Sequence, residues 1–91
     1  MGNVIVTLKI MPLNIQVNMN RLSSRVQQKV KSFSGNEGEV KIEPVGYGLK
    51  AIRILFIYSE NKGDTEPLEK EIMGIDGVNS VEVIDVRRAI G

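Results

Sequence analysis

Residues 37–59 read Glu-Gly-Glu-Val-Lys-Ile-Glu-Pro-Val-Gly-Tyr-Gly-Leu-Lys-Ala-Ile-Arg-Ile-Leu-Phe-Ile-Tyr-Ser. The first part alternates. Val40 and Ile42 fall on one side, and Glu39, Lys41 and Glu43 on the other, the period-two pattern of a half-exposed strand over Glu37 to Glu43. Pro44 has no amide hydrogen to give a ladder, which assigns that strand to a sheet edge. Pro44-Val45-Gly46-Tyr47-Gly48 then reverses the chain. Leu49 to Ser59 is apolar on both sides, with Ile52, Ile54, Phe56 and Tyr58 on one and Ala51, Leu55 and Ile57 beside Arg53 on the other. A strand of that kind is expected at the centre of a sheet. An edge strand turning directly into a central one fixes one antiparallel pair. The rest of the chain must complete the sheet around it.

Upstream, Asn3 to Met11 is rich in β-branched residues. Val4, Val6, Leu8 and Ile10 share one face; Ile5, Thr7, Lys9 and Met11 share the other. This predicts an interior strand ended by Pro12. The period changes at Asn18. Met19, Leu22, Val26, Val30 and Phe33 make one helical stripe, Asn18 suits the N-cap, and Gly35 suits the left-handed position that closes a helix. Arg21, Arg25, Gln28 and Lys29 take the solvent side. Downstream, Glu60 to Asp64 reads as a turn. Thr65 is placed to cap a second helix carrying Leu68, Ile72 and Ile75 and ended by Asp76-Gly77. Val78 to Val86 is the last strand, with Val81 and Val83 alternating with Glu82 and Ile84. Met11, Met19 and Met73 read as core filler.

The order strand, helix, strand, strand, helix, strand is the split βαβ pattern. It predicts an α+β, ferredoxin-like βαββαβ sandwich. Right-handed crossovers give a four-stranded antiparallel sheet of order 4-1-3-2 with both helices on one face. The strand chemistry agrees, since the two most apolar strands are the first and third, the central pair in that order. Residues 1–91 are expected to form a single domain. In this topology the turn after the second strand lies at one end of the sheet, and the end of the fourth strand lies at the other. Strands of about eight residues span roughly 26 Å at ~3.3 Å per residue. Tyr47 and Arg87-Arg88 are therefore expected at opposite ends of the molecule.

Composition narrows the chemistry. There are 12 Lys and Arg against 11 Asp and Glu, for a net charge of +1. That balance argues against a nucleic-acid binder, which needs a basic excess to neutralise phosphates. The chain has no cysteine and no histidine. Disulfides and thiolate sites are excluded, and the commonest general base and metal ligand are missing. No apolar run approaches the roughly 20 residues of a membrane span. The start, Met1-Gly2-Asn3-Val4, lacks the positive region of a signal peptide, and Val6 stands where myristoylation needs Ser or Thr. The expectation is a cytoplasmic protein that does not engage membranes.

Candidate catalytic groups are equally scarce. The loop Pro12-Leu13-Asn14-Ile15-Gln16 has neither the arginine nor the glycines of an acylphosphatase-like phosphate cradle, and there is no CxxC pair. Phe56 and Tyr58 lack the first-strand aromatic of an RNA-recognition motif and read as core. The scattered carboxylates read as a solvated surface. Tyr47 stands apart. It is either a turn tyrosine folded back on the strand ends or an exposed aromatic anchor for a protein, with Gly46 and Gly48 letting the backbone approach that partner.

Ile42-Glu43-Pro44-Val45-Gly46-Tyr47-Gly48-Leu49-Lys50, running into Ala51-Ile52-Arg53-Ile54, resembles the signature of the translation elongation factor 1-beta family. That family carries Pro-(Val/Ile)-Gly-(Tyr/Phe)-Gly-(Ile/Leu)-Lys at the same strand-to-strand turn. Asn18-Met19-Asn20-Arg21-Leu22, Leu68-Glu69-Lys70-Glu71-Ile72 and Asp85-Val86 resemble further parts of it. The resemblance covers essentially the whole chain, as the exchange domain of the eukaryotic factor without its N-terminal extension. A stand-alone domain of this length is similar to the archaeal form.

The resemblance implies a guanine-nucleotide exchange factor acting on the GTPase elongation factor 1-alpha during protein synthesis. It implies no bond-making chemistry, no catalytic residue and no cofactor or metal. It implies partner contacts at Pro44, Gly46, Tyr47, Gly48 and Lys50 at one end, and at Asp85, Arg87 and Arg88 at the other. Tyr47 would meet the second domain of the GTPase; the C-terminal end would reach its magnesium and phosphate region. The eukaryotic family ends with a near-terminal lysine, whereas this chain ends Ala89-Ile90-Gly91, so Arg87 or Arg88 would have to supply a cation. The free chain is expected to be a monomer that does not bind nucleic acid directly. The alternative is a small-molecule-sensing regulatory module of the same fold.

Overall fold

A computed structural model describes residues 2–89. The chain forms β1 (Asn3–Pro12), α1 (Met19–Ser34), β2 (Glu39–Gly46), β3 (Leu49–Ser59), a 3₁₀ turn (Glu60–Lys62), α2 (Glu66–Met73) and β4 (Val78–Arg88). The four strands make one sheet of order β2-β3-β1-β4, which is 4-1-3-2 read from the other side. All three neighbouring pairs are antiparallel. The ferredoxin-like fold expected from the sequence is the fold observed.

Both helices cover one face. Val6, Leu8, Ile10, Ile52, Ile54, Phe56 and Tyr58 from β1 and β3 join Leu22, Val26 and Val30 of α1 and Leu68 and Ile72 of α2 in a single buried cluster. The helical stripe and the predicted strand faces therefore meet each other. Phe33 stacks edge-on against Phe56 at 6.4 Å and lies 5.0 Å from Tyr58, so α1 is keyed to β3 by aromatic rings. Tyr58 keeps its polar end satisfied by donating to the Gly63 carbonyl at 2.9 Å. Burial, and secondarily the charge of Asp64, push its phenol above the ordinary tyrosine range.

The other face of the sheet is uncovered. Leu55 and Ile57 are 38 % and 42 % exposed there. The apolar character of both faces of β3 correctly gave its central position, although only one face is packed.

Local capping follows the sequence at α1 and departs from it at α2. Asn18 accepts from the Arg21 amide at 3.1 Å, and Gly35 closes the helix with φ +83°. At α2 the hydroxyl of Thr65 makes no cap. It donates instead to Glu69 Oε2 at 2.6 Å, and Asp64 Oδ1 accepts from the Glu66 amide at 2.9 Å. Thr65 is buried, so its hydroxyl turns to a neighbour inside the fold rather than back along the helix axis. The helix also ends earlier than expected, at Met73, with Ile75 buried in the turn that follows. Met73 then points outward and is 46 % exposed, so it is not core filler.

Two strands run further than the period-two reading gave them. β2 starts at Glu39 and continues through Pro44 to Gly46. Pro44 pairs with Lys50 because an edge strand needs no donor on its outer side. β4 extends to Arg88 and carries a bulge: Leu8 faces Val83, but Thr7 faces Asp85. Ile84 is the extra residue. A slip of one residue swaps the faces of everything beyond it. Without the bulge, Asp85 and Arg87 would lie on the helix side with Val81 and Val83. With it, they lie on the open face.

Gly38 sets how closely β2 approaches the core. Its amide donates to Gln27 Oε1 at 2.7 Å, and its carbonyl accepts from Gln27 Nε2 at 2.8 Å. A Cβ at Gly38 would sit 2.7 Å from Ile54 Cγ1 and 3.0 Å from the Leu55 carbonyl oxygen. Ile54 is fully buried and cannot retreat. Gly38→Ala is therefore expected to cost about 1–3 kcal/mol through overpacking, read as a lowered thermal midpoint. An unchanged midpoint would mean that the start of β2 moves away freely.

Candidate functional site

The β2–β3 connection is tighter than the five-residue turn expected. Gly46 pairs with Leu49, leaving a two-residue loop of Tyr47 and Gly48. Tyr47 has φ +54° and Gly48 φ +77°, the positive signs that a type I′ turn demands at both central positions. Tyr47 is the only non-glycine residue with positive φ among the described residues. A bulky side chain in that region is strained. The ring is 100 % exposed, so it does not fold back on the strand ends. The pairing slips between Pro44 and Gly46, which leaves Val45 unpaired and 40 % exposed next to the turn. Lys50 is exposed on the following strand.

The other end of the sheet is polar. Val4 faces Arg88 and Ile5 faces Arg87, whereas Ile10 faces Ile52 near the Tyr47 turn. The two candidate regions therefore sit at opposite ends of a molecule 42 Å long. Arg87 Nε lies 2.9 Å from Asp85 Oδ2 on the open face. Arg88 lies 3.4 Å from Glu60 Oε2, and Glu60 Oε1 accepts from the Gly2 amide at 3.2 Å. Both arginine side chains remain largely in solvent, at 74 % and 82 %. Exposed pairs like these hold their geometry weakly, so each guanidinium can change partners at little cost. Ile90 and Gly91, part of the chain end that departs from the eukaryotic pattern, lie outside the described residues.

Among the described residues no group of three acidic side chains is placed to hold a metal ion. No helix among them is long and apolar enough to cross a membrane. What the geometry offers is two groups of exposed side chains at opposite ends of one sheet.

The EF-1 guanine nucleotide exchange domain matches residues 5–89. The chain belongs to that family. An elongation factor 1-beta from Methanothermobacter thermautotrophicus is 35 % identical over 89 residues, 97 % of this chain and 98 % of that protein. One from Methanococcus aeolicus is 37 % identical, covering 94 % and 97 %. One from Staphylothermus marinus is 37 % identical, covering 97 % and 98 %. All three relatives are archaeal, as the length and resemblance led one to expect. Neither the family match nor these names support the small-molecule-sensing alternative.

For an exchange domain, the sequence reading passed over one part of the Tyr47 end. Leu13 and Ile15, in the loop between β1 and α1, are 59 % and 67 % exposed. The available signal was their spacing: two large apolar residues alternating with Asn14 and Gln16, in a loop where no strand or helix could bury them.

Proposed function

We propose that this exchange domain acts on elongation factor 1-alpha as a two-point clamp, with Tyr47 anchoring one end and Arg87-Arg88 acting at the other. The observation that carries the reading is Tyr47 itself: a fully exposed ring held on a strained two-residue turn. Burying such a ring stabilises interfaces more than almost any other residue can. Pro44, Gly46 and Gly48 shape the turn that presents it, and Lys50 flanks it. Asp85 pairs with Arg87 until a partner offers another acceptor.

Exchange in this scheme is linkage rather than bond chemistry. Whatever factor separates the chain's affinities for nucleotide-free and GDP-bound GTPase is the factor by which GDP binding weakens. No catalytic group is needed, which suits a protein without His or Cys. The chain works as one domain over residues 1–91, as a free monomer in the cytoplasm, without contacting nucleic acid.

The test is release of fluorescent GDP from elongation factor 1-alpha. The chain is expected to accelerate release, and Arg87→Ala with Arg88→Ala to slow the accelerated rate about tenfold, the loss of one or two charge-assisted contacts. No acceleration by the wild-type chain overturns the function. Acceleration unchanged in the double variant removes the arginines from it.

A further inference from the structure

The Tyr47 turn has an exposed apolar neighbour. A Cβ placed at Gly48 would touch Ile15 Cγ2 at 3.4 Å, so the Ile15 side chain lies against the bare backbone beside Tyr47. Leu13 and Ile15 are held out of the core by a loop that is itself fixed. The Leu13 amide donates to the Gly77 carbonyl at 2.9 Å, and the Gln16 amide donates to Asn14 Oδ1 at 2.9 Å. Their exposure is built in, not a consequence of slack. Exposed apolar side chains are usually scattered singly, whereas here Ile15 lies against the Tyr47 turn, Val45 adjoins that turn, and Leu13 is exposed two residues before Ile15.

We infer that Ile15, with Leu13 beside it in the same loop, joins Tyr47 in an apolar docking surface for elongation factor 1-alpha. This inference rests on the anchor reading above. The occupant is the same GTPase for a reason of area. A stable interface covers about 800 Å² on each partner, and one aromatic ring supplies only about 150–250 Å². A partner that buries Tyr47 must also cover its neighbours, and Ile15 is in contact with the turn. Beside the two loops runs a shallow cleft of about 390 Å³ that contains no carboxylate; Asn14, Asn18, Asn20 and Lys50 line it together with Ile15 and other apolar side chains. The face of the GTPase that fits is an apolar hollow with carbonyl or carboxylate acceptors along one side, meeting the asparagine amides and the Lys50 ammonium. The first loop is tied by the Leu13–Gly77 and Gln16–Asn14 hydrogen bonds and the Tyr47 turn closes between paired strands, which reduces the backbone freedom to be lost on docking.

The experiment measures the dissociation constant for nucleotide-free elongation factor 1-alpha with Ile15→Ser, Leu13→Ser, Tyr47→Ala and the Ile15→Ser/Tyr47→Ala pair. Ile15→Ser is expected to weaken binding about tenfold with an unchanged melting temperature, since it empties no core. Ile15→Leu is expected to restore most of the affinity, and the double variant to lose less than the product of the single losses, because the two side chains share one contact. If Tyr47→Ala weakens binding and neither serine variant does, this inference fails while the anchor stands. If no variant weakens binding, the anchor reading fails and this surface with it. If the serine variants abolish a self-association seen by sedimentation and leave GTPase binding intact, the occupant is a second copy and the inference is overturned.

Discussion

Tyr47→Ala is expected to weaken binding to nucleotide-free elongation factor 1-alpha by about 2 kcal/mol or more, roughly 30-fold, while leaving the thermal midpoint of the free chain unchanged. The second half of the prediction is the informative one. The ring is wholly in solvent and has no hydrogen bond or ring partner to lose. Its backbone, at φ +54°, is strained for any side chain that branches or carries bulk. Asparagine is tolerated there far better, and Asn followed by Gly is the pairing type I′ turns favour. Tyr47→Asn is therefore expected to raise the stability of the free chain by up to about 1 kcal/mol while losing the grip on the GTPase as the alanine variant does. Opposite signs for stability and binding at one position are the mark of a residue kept for a partner. A Tyr47→Ala chain that binds at full strength would show the ring to be a bystander. A Tyr47→Asn chain that melts lower would show that the turn is not strained in solution.

The sheet order was legible because β1, α1, β2 and β3 each carry an unambiguous period, and because Pro44 and the apolar runs independently assigned edge and centre. The opposite placement of Tyr47 and Arg87-Arg88 followed from that order alone. Three features were not legible, each for a physical reason. The bulge at Ile84 shows itself through pairing with β1; the alternation of Val81 to Val86 slips where Val83 and Ile84 stand together, but two adjacent apolar residues read equally well as a strand with apolar side chains on both faces. The cap of α2 was expected at Thr65; with Thr65 buried, its hydroxyl goes to Glu69 and the neighbouring Asp64 accepts from the Glu66 amide, a choice that depends on burial and not on the local sequence. Leu13 and Ile15 belong to no chemical motif, and their placement is spatial: Ile15 becomes part of the Tyr47 end only once Gly48 lies beside it.

The second large effect separates the frame from the ends it carries. Phe56 is 1 % exposed, faces Val6 across the middle of the sheet, and packs edge-on against Phe33 and 6.0 Å from Tyr58. Phe56→Ala is expected to destabilise the fold by about 3–5 kcal/mol, through lost transfer energy and the cavity left between β3 and α1. In a domain of this size each 1 kcal/mol shifts the midpoint by roughly 4–8 °C, so the change is large by thermal or urea denaturation. In a chain of 91 residues such a loss takes up much of the total stability. Its effect on the partner should be small. The sheet acts as a strut, and its ends are held by ladder bonds from Pro44↔Lys50 to Val4↔Arg88 that the Phe56 ring does not make. At a temperature well below the lowered midpoint, the dissociation constant for the GTPase should match wild type once the unfolded fraction is subtracted. Tyr47→Ala should do the reverse, sparing the fold and losing the complex. A Phe56→Ala chain that is fully folded yet binds weakly would mean that packing in the middle of the sheet, and not only the two ends, sets the shape the GTPase meets.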